Sequence, residues 1–193
     1  MEVQKKHLAI LASGSGTNAE NLIRYFTDHD QVSVDLVLSN KKDAFVLERA
    51  RKAEIPSLLF SREEFNNVNF LEKLEEIDYL ILAGFLWLIP NYLIEAFPGR
   101  IINIHPSLLP KFGGKGMYGS YVHEAVIQNQ ESKSGITIHL VNERYDEGKV
   151  LFQASCPVNL DDTADSLAAK IHQLEYEHFP KVIEKYIQDQ EGD

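Results

Sequence analysis

Apolar and polar positions divide the chain into short alternating runs. HLAILAS (7–13) is an apolar run that ends in glycines, and TNAENLIRYFTD (17–28) follows with Leu22, Ile23 and Phe26 at helical spacing. This predicts a strand, a tight turn and a helix. VSVDLVLSN (32–40) repeats the strand pattern, DAFVLERARKA (43–53) the helical one, and IPSLLF (55–60) gives a third extended piece. Ser61 with Glu64 three residues on has the form of a capping box and predicts a helix through about Glu76. DYLILAG (78–84) and RIINIH (100–105) are nearly continuous apolar strands, joined by a helix predicted over IPNYLIEAF (89–97). Such runs belong to a parallel sheet covered on both faces. Past residue 130, GITIHLVNERYDEGKVLFQASCPV alternates around DEG and predicts an antiparallel hairpin, and Thr163 to about Gln190 reads as a long amphipathic helix. KFGGKGMYG (111–119) reads as a glycine-rich loop. The expected fold is α/β: a Rossmann-like, mostly parallel sheet with helices on both faces, then a C-terminal antiparallel hairpin and a long C-terminal helix.

RIINIH breaks its own pattern, because an apolar strand carries an asparagine and a histidine. Side chains alternate across a strand, so Asn103 and His105 point to one face and Ile102 and Ile104 to the other. Pro106 cannot donate a ladder hydrogen bond and keeps His105 extended, so the polar pair falls at the carboxyl end of the strand. Open α/β sheets place their ligands there. A hydrogen-bonded structural histidine is the plainer alternative. Asp146 in RYDEG is a candidate partner for His105, although an Asp near Gly also serves turns, and His139 and Thr137 either line a site or pack.

SGSGTN (13–18) joins the first strand to the first helix, so its backbone N–H groups and the helix dipole suit an anion. A tight turn without a ligand fits the same residues. Gly14-x-Gly16 is followed by Ala19, and the second strand ends in LSNKKDA with no acid placed for a ribose, so one phosphate fits better than a dinucleotide. No G-K-[ST] follows, which excludes a P-loop, and no G-x-S-x-G elbow is present. His105, His123, His139 and Asp146 lack a recognised ligand spacing, so no metal is expected.

With 193 residues, 44% of them hydrophobic, the chain suits one domain. A net charge of −10 and no lysine or arginine cluster beyond Lys5-Lys6 and Lys41-Lys42 argue against nucleic-acid or membrane partners. A lone cysteine, Cys156, rules out an internal disulfide and fits a reducing compartment; no run approaches the ~20 apolar residues of a membrane span. A cytoplasmic protein is expected.

SGSGTN, LAGF (82–85), NIHPSLLP (103–110) and YDEG (145–148), in this order and spacing, closely resemble the glycinamide ribonucleotide formyltransferases of purine biosynthesis, which use 10-formyltetrahydrofolate. The resemblance covers nearly the whole chain. It implies small-molecule substrates, glycinamide ribonucleotide and 10-formyltetrahydrofolate as co-substrate, with no metal, in a monomer or homodimer. It implies one domain over 1–193, with a nucleotide-binding half at 1–105 and the folate-site loop, hairpin and terminal helix at 106–193. Asn103, His105 and Asp146 match the family's catalytic trio, and Gly14, Ser15, Gly16, Thr17 and Asn18 its phosphate loop. Glu175 in HQLEYEHFP matches its ribose-binding glutamate and Arg62 a substrate-contacting arginine. Leu86, Trp87, Leu88, Ile89, Asn103, Thr137 and His139 fall where folate or other substrate contacts are implied. Trp87 stands where bacterial members commonly carry arginine, and the loop after Pro110 is longer than theirs. The implied mechanism is direct attack by the substrate amine, with Asn103 and a protonated His105 donating to the oxyanion while Asp146 favours that protonated form. Methionyl-tRNA formyltransferases and formyltetrahydrofolate deformylases share HPSLLP but normally add a further domain, and a noncatalytic nucleotide-binding module is the rival of another class.

Overall fold

The structure, a computed structural model, describes residues 5–191. Among these residues the fold is α/β, with a seven-stranded, mostly parallel sheet, an antiparallel hairpin and a long C-terminal helix. The chain forms two compact units, residues 1–102 and 103–193.

The first unit holds β1 (Lys6–Leu11), α1 (Thr17–Phe26), β2 (Val32–Ser39), α2 (Val46–Lys52), β3 (Ser57–Leu59), α3 (Arg62–Phe65), β4 (Tyr79–Leu82) and α4 (Asn91–Ala96). Its strands run parallel in the order β3-β2-β1-β4. Leu8, Ile10, Leu38, Leu80 and Ile81 are buried, as continuous apolar strands require. α1 packs on β2 through Leu22, Ile23 and Phe26, the three positions whose spacing predicts that helix.

β5 (Ile101–His105) leads into the second unit, with α5 (Ser120–Gln128), β6 (Lys133–Leu140), β7 (Val150–Pro157) and α6 (Ala164–Glu191). β6 and β7 pair antiparallel, with a register shift between Ile138 and His139. α6 packs on both strands, burying Leu167, Ile171, Phe179, Ile183 and Ile187. Thr163 opens it: its hydroxyl accepts from the Ser166 N–H at 3.2 Å, and the Ser166 hydroxyl accepts from the Thr163 N–H at 3.0 Å.

One expectation needs correcting. The capping box of Ser61 and Glu64 is present, but it opens only the four-residue α3; a 3-10 helix, Val68–Leu74, takes up the rest of the stretch. Asn67 causes the break, because its side-chain oxygen accepts from the Asn69 N–H at 2.9 Å and competes with continued helix. Helix α5 follows the glycine-rich loop, a stretch for which the sequence predicts no element. Its N-cap is Gly119 without a side-chain cap bond, so only Val122 and Val126, buried one turn apart, signal it.

Candidate active site

In the second unit, three elements bring polar groups to one cluster. β5 supplies Asn103 and His105, β6 supplies Thr137 and His139, and the connection from β6 to β7 supplies Asp146. Asp146 sits at φ +57, a left-handed conformation that Asp and Asn tolerate better than most side chains. Gly148 allows this turn: a Cβ there would stand 1.6 Å from the Leu140 carbonyl oxygen.

The His139 Nδ1–H donates to the Leu140 carbonyl at 2.8 Å. With Nδ1 as the donor, Nε2 accepts from the Asn103 amide at 3.0 Å. Asp146 stands between two imidazoles, Oδ1 at 3.6 Å from His139 Nε2 and Oδ2 at 3.6 Å from His105 Nδ1. Both distances are longer than hydrogen bonds. The Asp146 Oδ2 accepts from the Gly114 N–H at 2.8 Å, and His105 Nε2–H donates to the Phe112 carbonyl at 2.8 Å. The glycine-rich loop thus holds both groups through its backbone.

Burial pushes the His105 pKa below its usual value; Asp146 and the Phe112 carbonyl oppose this without overcoming it. Burial also presses the Asp146 carboxyl upward, but His139, His105 and the Gly114 N–H outweigh it and hold the group below its usual value. Near neutral pH the pair is therefore a neutral imidazole and a carboxylate. The desolvation of a ring only 4% exposed and the attraction of one carboxylate at 3.6 Å thus act on His105 in opposite directions.

In the first unit, the turn after β1 is pinned by Ser13, whose hydroxyl donates to Asn40 Oδ1 at 2.7 Å and accepts from the Leu86 N–H at 3.1 Å. Gly16 caps α1 at φ +73, and a Cβ there would lie 2.5 Å from the Val46 Cβ. Ser13, Gly14, Ser15, Lys41, Lys42 and Phe45 line part of an open cavity of about 500 Å³. Trp87 joins the ring cluster of Phe60, Phe65 and Phe85, and the Arg62 guanidinium lies 4.4 Å from its ring centroid.

The sequence profile of the formyl transferase family matches residues 6–183. The chain belongs to the formyl transferase family. It is 41% identical over 192 residues to a chloroplastic phosphoribosylglycinamide formyltransferase of Arabidopsis thaliana, covering 94% of this chain and 65% of that one. It is 35% identical to the phosphoribosylglycinamide formyltransferase of Haemophilus influenzae, covering 92% of this chain and 85% of the relative. The chain thus spans just under two thirds of the plant relatives, 65% of one and 61% of the other. A crystal structure of phosphoribosylglycinamide formyltransferase from Bacillus halodurans superposes with a TM-score of 0.84 at 34% identity, covering 93% of this chain and 94% of that one. The counterpart from Anaplasma phagocytophilum gives 0.86 at 32%, covering 96% and 89%.

In this formyl transferase domain, the structure brings together Asn103, His105, His139 and Asp146. It does not bring Thr137 to an open surface. Thr137 is fully buried, its hydroxyl donating to the Ser107 carbonyl and accepting from the Leu109 N–H and the Gln153 amide, so it braces the SLLP segment. Ile89 is 2% exposed and belongs to the core, whereas Leu86 and Trp87 are half-buried and Leu88 is exposed. Arg62 is exposed and spends its guanidinium on Trp87. Gly14 and Ser15 are exposed, and Thr17 and Asn18 half-buried, at the start of α1. Glu175 is 5% exposed on α6, midway between the buried Ile171 and Phe179. Sequence reasoning missed Gln153 and the backbone groups of Phe112 and Gly114; a glycine-rich loop gives no sign of which carbonyl or N–H it will present. Among the described residues no group of three or more His, Cys, Asp or Glu could hold a metal ion, and no helix is long and apolar enough to cross a membrane.

His123, 3% exposed on α5, is driven down to about 4 by burial, with charge on His172 and His105 adding to the effect. A histidine with a depressed folded-state pKa binds its proton in the unfolded chain first, so stability is full above about 6.5 and falls as pH drops toward 4. A Tm series from pH 7.5 to 4 should show this fall, and His123→Phe should make it shallower. A slope unchanged by the substitution would assign the acid sensitivity to His105 and His172, both also depressed by burial.

Proposed function

We propose that this chain transfers a formyl group from 10-formyltetrahydrofolate to the amine of glycinamide ribonucleotide, a step of de novo purine biosynthesis. The observation that carries the reading is the cluster in which Asn103 and His105, on one strand, meet the distant Asp146 through His139 and the loop backbone. The names of the relatives supply the substrates.

The amine is a nucleophile once neutral, so the protein has three tasks: to place it against the formyl carbon, to stabilise the oxyanion and to move a proton to the leaving nitrogen of the folate. As the new N–C bond forms, the carbonyl π electrons move to oxygen; when the oxyanion collapses, the bond to the folate nitrogen breaks. Asn103 and neutral His105, through Nε2–H, are the donors for that oxygen. His105 must first release the Phe112 carbonyl. Asp146, kept ionised at neutral pH, accepts the amine proton through water and delivers it to the leaving nitrogen. His139, its own Nδ1–H spent on Leu140, fixes the Asn103 amide. Residues 14–18 hold the phosphate and Glu175 the ribose. Within the same reading the protein acts in the cytoplasm as a monomer or homodimer, as a single domain made of a nucleotide-binding half at 1–105 and the folate-site loop, hairpin and terminal helix at 106–193.

An absorbance assay of formyl transfer should show turnover that depends on glycinamide ribonucleotide. Turnover without the acceptor would instead mark a deformylase. Trp87 gives a second readout, because it is the sole tryptophan and half-buried. Saturation with a nonfluorescent folate analogue should shift its emission if the 86–89 segment meets the folate; an unchanged spectrum would assign the indole to the Phe60 and Phe65 cluster alone.

A further inference from the structure

We propose that Arg49 is a positioning residue for the phosphate of the ribonucleotide, orienting the 14–16 turn by holding the Ser15 carbonyl and neutralising Glu20. The inference rests on the function proposed above and concerns a residue on a different element from the phosphate loop.

Consecutive carbonyls of this turn are each held by a donor. The Gly14 carbonyl accepts from the Val46 N–H at 3.2 Å, the Ser15 carbonyl from Arg49 Nε at 2.7 Å, and the Gly16 carbonyl from the Glu20 N–H at 2.9 Å. A peptide plane fixed by its carbonyl has its N–H directed the opposite way, so binding these oxygens orients the N–H groups that an anion needs. Two of the three bonds are made by backbone and survive most substitutions. The one at Ser15 depends on a side chain.

Charge points the same way. Glu20 lies in the first turn of α1, where a carboxylate competes with any anion at the helix N-terminus. Arg49 Nη1 is paired with that carboxylate, and Arg24 reaches its other oxygen at 3.2 Å. The Arg49 guanidinium also lies 5.0 Å from the centroid of the half-exposed Phe45 ring, which lines the cavity beside Gly14 and Ser15. One planar group therefore meets a carbonyl, a carboxylate and a ring face together. Lysine keeps the charge but not the fork or the stacking plane.

The test compares Arg49→Gln, Arg49→Lys and, as a control on the same helix, Arg51→Gln, whose wild-type side chain is exposed and paired with Glu48. KM for each substrate, kcat and Tm are measured for all of them. Arg49→Gln should raise KM for the ribonucleotide about tenfold or more, the effect of loosening one charge-assisted contact, while KM for the folate and kcat stay within about threefold. Arg49→Lys should fail to restore the ribonucleotide KM, and Arg51→Gln should resemble wild type. Full rescue by lysine would overturn the proposal in favour of a simple charge effect. Equal rises in both KM values together with a lowered Tm would overturn it in favour of a structural role. If the wild-type protein transfers no formyl group to the ribonucleotide, the function reading falls; if it does and Arg49→Gln leaves that KM unchanged, this proposal alone falls.

Discussion

Asp146→Asn should lower kcat by on the order of 10²-fold or more while leaving KM for both substrates little altered, the scale of losing general acid–base help. Asparagine keeps the shape of aspartate and tolerates the left-handed backbone at φ +57, so the turn should survive. Its amide oxygen can still accept the Gly114 N–H that Asp146 holds at 2.8 Å. What disappears is the charge 3.6 Å from both His105 and His139, which counts most when positive charge develops nearby in the transition state. His105→Ala should fall similarly, and the double variant should be barely worse than the worse single one, because groups that act as a unit are not additive. Steady-state kinetics on the four proteins decides the matter. A raised KM with kcat near wild type would make Asp146 a binding or turn residue.

Gly16→Val should lower Tm by roughly 5–15 °C, whereas Gly14→Val should leave folding nearly intact and weaken ribonucleotide binding. The two glycines look alike in the sequence and differ in the structure. Gly16 has φ +73, and its added Cβ would meet Val46 side-chain atoms at 2.5 Å, whereas nothing lies within 4 Å of a Cβ at Gly14. Left-handed backbone costs a branched residue about 1–2 kcal/mol and overpacking about 1–3 kcal/mol, and each kcal/mol moves Tm by about 2–4 °C at this size. Thermal melts and ribonucleotide titration of both variants check this. A Gly16→Val protein that melts like wild type would show that α2 can move away from the turn. Equal losses of ribonucleotide and folate affinity in a folded Gly14→Val protein would remove the phosphate from this loop.

Element order, the parallel opening, the hairpin and the terminal helix were legible in the sequence because hydrophobic period is local: a strand repeats every two residues and a helix every 3.6. Where a local rival intruded, the reading failed, as at Asn67, whose side chain ends a helix that the period alone would continue. The polar residues of RIINIH and the motifs around them likewise stood out in the sequence, because an asparagine and a histidine conflict with a buried apolar strand. Of their partners, only Asp146 was named from the sequence. Asn103 meets His139 across 36 positions and Ser15 meets Arg49 across 34, and no spacing rule connects residues so far apart. The burial that lowers the His105 pKa was equally beyond the sequence, which supplies only the acid beside it. Thr137 and Gly16 show the same limit: their residue types are visible in the chain, but only the tertiary structure decides that one hydroxyl is fully engaged within the protein and that one missing Cβ leaves room for Val46.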